Sequence, residues 1–504
     1  MFKSEAPFKK LVSETAVTKI DRAHIRRSVA KYFKWIMFSH TWEGEEPTFK
    51  DVNVVDSVWK LDESPLNQKL RQFCATARDD GHRWAWSDTC CIDKETSAIL
   101  SRSLIAMYTW YAKAAETLVY LADVLSSAEL GDLALAKSRW MTRAWTLQEL
   151  LASKVVRFYN RDWKLYLNDT HANHKESPAI QQELAQAMGV APEIITSFRP
   201  KALEVREKLR LASTRNATLE EDIAYSLIGM FSSDIVPRYG LGKTALGQLL
   251  ENIVARTGDV TVIAWTGESM PYNSALPASF AVYSQVPYSP PPMTANELNT
   301  CVEQLRTQSS QHHALALYYR VTQFPRATFS NGCLKLPCIA FYITEICAQE
   351  PDGSRGSLYR AEVSLLGNVE FRTADAMPLE NPRTLVFVHP WLRDLRDPLD
   401  GSSDDDEEDD SVADSSDEAD AKSDDAAGPD SPLHAEPSAP VDPLTLALRL
   451  IARLGRPFNV LLLERQSNGQ YKRVAAEHEI IVPGVPYKTS PKDIKARAKV
   501  LEIV

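Results

Sequence analysis

Three short stretches of this chain concentrate the residue types from which a reactive site is built. They are Phe38-Ser39-His40-Thr41-Trp42-Glu43-Gly44, Trp86-Ser87-Asp88-Thr89-Cys90-Cys91-Ile92-Asp93 and Trp140-Met141-Thr142-Arg143-Ala144-Trp145-Thr146-Leu147-Gln148-Glu149. Each lies at the exit of an apolar, strand-like run or at the start of a helix-like one. In an open α/β sheet those places converge on one crevice at the carboxyl ends of the strands. Nucleophilic chemistry is poorly supplied there. No nearby pattern gives Cys90 or Cys91 a base, and both read as packing. Adjacent Ser39 and His40 do not make a triad, so His40 reads as a loop residue in contact with the site. The third block ends in a carboxylate, Glu149, on which most of the functional reading turns.

Glu149 has a competing role. Thr146-Leu147-Gln148-Glu149 spells a capping box, in which the carboxylate would bond back to its own helix start. A carboxylate held that way is poorly placed for a substrate. Asp93 reads as part of the N-cap region of the next helix. Asp88, placed on the preceding strand, is either a ligand contact or a buried hydrogen-bonded carboxylate. Trp140 and Trp145 read first as core.

The elements that must position these groups alternate over residues 32–165. Strand-like runs at 35–38, 83–89, 118–121 and 155–159 are separated by helical patterns. Ser64-Pro65 opens one helix, with Leu66, Leu70, Phe73 and Ala77 on one face and Gly81 at its end. Ser97 opens another, carrying Leu100, Leu104, Met107, Tyr111 and Ala115. This order implies a parallel sheet with helices on both faces. Residues 166–257 read as a helical extension, with helices at 219–231 (capped by Thr218, Glu221 three residues on) and 241–254. From 258 the chain reads as β-rich, with strands at 260–265, 315–321, 333–344, 359–365, 384–389, 458–464 and 471–474. The stretch 400–440 interrupts it and reads as a disordered acidic insert. Ser402, Ser403 and Ser415 precede acidic runs there and are candidates for phosphorylation.

The charge belongs to that insert. Formal net charge is -10, yet residues 404–425 hold thirteen Asp or Glu and one Lys, leaving the rest near neutral. A nucleic-acid-binding body is therefore not expected. Seven scattered cysteines without a CxxC pair suggest a reducing compartment and no zinc site. Residues 1–31 carry no apolar leader core, and no run approaches a membrane span, so a cytoplasmic protein is expected. Tyr239-Gly240-Leu241-Gly242-Lys243-Thr244 is not a phosphate loop, because Pro237 stands where its first glycine is needed.

The three blocks, in this order and spacing, resemble the HET (heterokaryon incompatibility) domain of filamentous fungi. That family's pattern is aromatic-Ser-x-x-Trp-Gly, then Trp-x-Asp-x-x-Cys-Ile-Asp/Asn, then Arg-Ala/Gly-Trp-Thr-Leu-Gln-Glu; here Glu43 stands before Gly44. Met107-Tyr108-Thr109-Trp110-Tyr111 and the segment from Glu220 to Phe231 also match. The resemblance covers roughly residues 32–256 and implies self/non-self recognition and programmed cell death. HET domains are in turn related to TIR domains, so the resemblance implies a TIR/flavodoxin-like parallel sheet. Some TIR domains cleave NAD+ with a glutamate near a Trp, which corresponds here to Ser138-Arg139-Trp140 and Glu149. On that reading Glu149 is catalytic, and Ser39, His40, Trp42, Asp88, Arg143 and Trp145 contact NAD+ as substrate, with no separate cofactor. Nicotinamide leaves a pyridinium as a neutral ring, so one carboxylate suffices, unlike the pair needed by a glycosidase. Trp42 or Trp145 would stack on a ring, and Arg143 with the amides of the 39–44 loop would hold the diphosphate. Self-association through the HET domain and an unidentified incompatibility partner are also implied. The alternative is a non-catalytic death-signalling module.

Overall fold

Four parallel strands form the first sheet: β1 (Trp35–His40), β2 (Trp84–Trp86), β3 (Glu116–Tyr120) and β4 (Val156–Tyr159), in the order β2-β1-β3-β4. The computed structural model describes residues 31–127, 131–200, 203–350, 353–377, 379, 381–392 and 441–504, with residues 10, 13 and 29. The acidic insert at 400–440 and nearly all of residues 1–31 lie outside them. β1 is buried on both faces, as a central parallel strand must be. Period-two alternation sends Ile36 and Phe38 to one side and Met37 to the other.

On the first side lies helix α1 (Pro65–Asp79), capped by Ser64 Oγ, which accepts from Asn67 N at 3.3 Å, with proline in its first turn. Its Leu70, Phe73 and Ala77 pack on Ile36 and Phe38, and Phe73 stacks on Phe38 with centroids 4.4 Å apart. Full burial of each large side chain contributes roughly 1.5–3 kcal/mol. On the second side α2 (Ser97–Lys113) buries Leu104, Met107 and Tyr111 against Met37. Helix α3 (Ala144–Ala152) joins β3 to β4 and is buried on nearly every position.

Helices α4 (Pro178–Met188), α5 (Val205–Ser213) and α6 (Thr244–Thr257) follow. The helix expected over 219–231 is two short ones, Glu220–Tyr225 and Ile228–Phe231. The expected cap fails because Thr218 and Glu221 are engaged elsewhere. Thr218 Oγ1 accepts from Arg143, and Glu221 Oε1 accepts from Gly240 N and Gly242 N, each at 2.9 Å.

Two runs expected as strands are not. Residues 260–263 form a 3-10 turn because Asp259 caps it, accepting from Thr261 N at 2.7 Å. Residues 315–321 lie in helix α8 (Gln311–Thr322), which follows α7 (Ala295–Gln308). Ala314, Leu317 and Val321 are its buried positions, a helical spacing masked by the aromatic and β-branched composition.

The second sheet contains β5 (Thr328–Ser330), β6 (Cys333–Ala348), β7 (Ser357–Val363), β8 (Gly367–Thr373), β9 (Leu385–Pro390), β10 (Phe458–Arg465), β11 (Tyr471–Arg473), β12 (Ile480–Val482) and β13 (Ala498–Ile503). Strands on both sides of residues 393–440 share it. β9 joins β6 to β10, and β11 meets β13 at Tyr471 and Ile503, so the pairing returns on itself. Along β6, Leu336, Cys338 and Ala340 face a core continuous with β3, β4 and α3 to α6. Ile339, Phe341 and Ile343 face a second core under α7, α8 and α9 (Pro443–Leu454). No helix among the described residues is long and apolar enough to cross a membrane.

Candidate active site

The order β2-β1-β3-β4 puts a topological switch point at the carboxyl end of β1, where Ser39 pairs with Val119 and His40 with Tyr120. Glu149 projects to this point from α3. Its helix begins at Ala144 with Arg143 as N-cap, so Glu149 lies in the second turn and the expected capping box does not form. The Thr146 hydroxyl is engaged elsewhere. Thr146 Oγ1 bonds to the carbonyls of Trp140 (2.6 Å) and Arg143 (2.9 Å), and the helix starts three residues earlier than the capping box requires.

Freed from capping, the Glu149 carboxylate accepts from Ser39 Oγ. Trp140 Nε1 donates to the same Ser39 oxygen at 2.7 Å, and its ring is fully buried against Phe158. Tyr111 reaches in from α2, its hydroxyl donating to Phe38 O at 3.2 Å; burial and the neighbouring Glu149 carboxylate hold that phenol protonated. Glu149 is only 8% exposed. Burial raises its pKa from 4.5 to about 8, and the Asp88 charge pushes the same way. The Ser39 hydrogen bond and the charges of Arg143 and Arg215 oppose the shift. Arg215 is buried beside the helix start, donating to Arg143 O and Thr146 Oγ1.

Asp88 does not lie on a strand. β2 stops at Trp86, and Asp88 begins a helical turn to Cys91. There its Oδ2 accepts from Trp42 Nε1 at 3.1 Å. Trp42 is 48% exposed, and Lys94 Nζ stands 3.7 Å from its ring centroid. Burial raises the Asp88 carboxyl against the opposing Lys94 charge, and burial lowers Lys94. Trp145 turns instead to Asp222, which also accepts from Tyr239 Oη at 2.8 Å and feels Arg143.

His40 is the last residue of β1, not a loop residue, and alternation turns it away from Ser39. It stacks on Phe38 at 4.2 Å, 3.7 Å from Glu46, which pairs with Lys69 of α1. Burial, Lys69 and Lys94 hold the imidazole neutral, and neither ring nitrogen has a hydrogen-bond partner; nor does Thr41 Oγ1. Of the expected set, Ser39 and Glu149 touch, Asp88 and Arg143 act on Glu149 through charge, and Trp42 borders it through Asp88. Tyr111, Lys94, Arg215, Glu46, Lys69 and Asp222 were not expected. Tyr111 and Asp222 lie within segments that match the family pattern, a usable signal; the others carry none. Among the described residues no cluster of His, Cys, Asp or Glu is arranged to hold a metal ion.

A raised carboxyl at Glu149, a second buried carboxyl at Asp88 bonded to the exposed Trp42 indole, and the cations Lys94, Arg143 and Arg215 thus gather at the end of β1. Residues 35–133 match the family model described as Heterokaryon incompatibility protein (HET). The HET stretch thus holds β1 to β3, Ser39, Trp42 and Asp88. Over 229 residues the chain is also 34% identical to "Vegetative incompatibility protein HET-E-1" of Podospora anserina. That alignment covers 44% of this chain but only 16% of the relative. No solved structure matches the chain.

Proposed function

We propose that the HET region is an NAD+ glycohydrolase centred on Glu149, acting in vegetative incompatibility and the cell death that accompanies it. The observation that carries the reading is the position of Glu149 at the switch point, free of its own backbone and bonded to Ser39. The strand order 2-1-3-4, all parallel, is that of flavodoxin-like sheets and supports the TIR likeness.

In the proposed reaction the C1′–N bond of the nicotinamide riboside breaks, and its electron pair neutralises the pyridinium. No acid is needed for that departure. Ionised Glu149 stabilises the ribosyl cation and bonds to ribose hydroxyls; water then adds at C1′ and its proton passes to Glu149 or solvent. The pyridinium of NAD+ brings the positive charge that lowers the Glu149 pKa on binding. Trp42 offers the stacking face once Lys94 moves aside. Self-association through this region, a cytoplasmic setting and an incompatibility partner belong to the same proposal.

A second reading has its own support: with Glu149 8% exposed and closed by Ser39 and Trp140, the cluster also suits a structural core of a non-catalytic signalling module. Nicotinamide release from NAD+, alone and under crowding that promotes assembly, separates the two. Release by wild type but not by a folded Glu149→Ala variant supports the enzyme. No release under either condition favours the module.

A further inference from the structure

The outer edge of β4 is closed by the chain that follows it. Val156 N donates to Asn173 Oδ1 at 3.1 Å, His174 N to Val156 O at 2.9 Å, and Phe158 N to His174 Nδ1 at 3.0 Å. A backbone N–H only donates, so Nδ1 must be the bare nitrogen of the ring. The other nitrogen, Nε2, faces the Asp169 carbonyl at 3.2 Å and carries the proton. The closure therefore needs a neutral imidazole, because a proton on Nδ1 would set two N–H groups against each other. His174 is fully buried with its ring stacked on Phe158, and burial lowers its pKa below the usual 6.5. The charge of Asp169 opposes that shift, while Arg157 of β4 and His171 add to it.

The next residue repeats the arrangement. Lys175 is 1% exposed, and its Nζ donates to Ser153 O at 2.5 Å, just past the end of α3. Burial alone lowers its pKa from 10.5 to about 7. Two adjacent bases are thus held in sites that fit their neutral forms. An opened segment returns both to water and to their ordinary affinity for protons, so proton uptake favours opening. The Lys175 contribution acts as pH falls from 10.5 to about 7, and the His174 contribution begins below 6.5. We propose that residues 173–175 form a proton-operated latch, closed on the edge of β4 while His174 and Lys175 are neutral and released when they are protonated. Release also reaches α3, because Ser153 Oγ donates to Glu149 O at 2.6 Å.

Amide hydrogen exchange of the full chain from pH 5 to 8, corrected to protection factors, tests the latch at Val156 and Phe158. Their protection should fall by up to about tenfold per pH unit between pH 8 and 7, and again below 6.5, while that of β1 does not fall with it. Lys175→Met should remove the first fall and keep the second. His174→Asn, whose amide oxygen can accept from Phe158 N without titrating, should remove the second and keep the first. Protection that stays level from pH 8 to 5, or an acid fall that persists in a folded His174→Asn chain, overturns the proposal. The ring gives an independent reading in the wild type. Its nitrogen NMR shifts should show a proton on Nε2 alone at pH 7, and protonation of Nδ1 at the pH where protection is lost. A proton on Nδ1 at pH 7 overturns the latch.

Discussion

Ser39 and Glu149, 110 positions apart in sequence, share a hydrogen bond inside the protein, and Trp140 donates to the same serine oxygen from the other side. The serine therefore couples the end of a central strand, a mid-helix carboxyl and a fully buried indole. Its acceptor is a group that burial tends to keep protonated, and its donor has nowhere else to go.

Replacing Glu149 by Gln keeps the shape and removes the titration. If the proposed chemistry holds, nicotinamide release should fall by about 100-fold or more. Steady-state assays on variants verified as folded by circular dichroism check this.

The same substitution should change how stability depends on pH. The Glu149 pKa is raised from 4.5 to about 8, so the neutral acid favours the folded state. That contribution is complete below pH 4.5 and is lost as pH rises through about 8. The wild type should thus lose stability relative to Glu149→Gln across this window, by up to roughly 4 kcal/mol. Denaturant titrations of both proteins from pH 4 to 9 measure it.

Ser39→Ala should cost about 1–3 kcal/mol, because it leaves Trp140 Nε1 buried and unpaired. It also removes a bond that holds the Glu149 pKa down. The rising limb of the activity–pH profile should therefore move to higher pH, a shift that mere loss of stability would not produce.

Trp42 is exposed and covered by Lys94. Trp42→Ala should leave the unfolding midpoint nearly unchanged yet weaken NAD+ binding by about tenfold, whereas Lys94→Met should strengthen it several-fold by uncovering the ring. Titration with NAD+ on the Glu149→Gln background, where turnover is slow, reads both.

Gly229 packs on α2 so closely that an added Cβ would sit 2.1 Å from Tyr108 Cβ. Gly229→Ala should destabilise the chain by about 3 kcal/mol through overpacking at the contact between the helical extension and the first sheet. A chemical denaturation curve decides it.

Much of this arrangement was legible in the residues. Alternating runs and the Ser64-Pro65 cap foretold α1 and the parallel sheet, because period and cap chemistry there agree. For Glu149 the sequence left two local roles open, a capping box or a carboxylate free of its own backbone, and the helix starting at Ala144 leaves it outside a cap. The capping signature at 146–149 is outcompeted by the bonds of Thr146 to Trp140 and Arg143, which only tertiary structure reveals. The direction of His40 follows from strand alternation and could have been read once β1 was extended by two residues. Lys94 and Arg215 come from segments without any pattern, and proximity alone brings them to the site. Between 258 and 327, aromatic and β-branched composition hid the 3.6-residue spacing of α8.

β4 is the outermost strand of its sheet, and its free edge is sealed by the segment after it. Val156 N donates to Asn173 Oδ1, Phe158 N to His174 Nδ1, and His174 N to Val156 O. The stretch that matches the HET family stops at residue 133, before α3, β4 and this seal. Cut there, the chain would present β3 as a bare edge with Leu118 and Val119 uncovered, a template for pairing with other copies. The portable unit of this protein, the piece that could be grafted or exchanged without sticking to itself, therefore runs at least to His174.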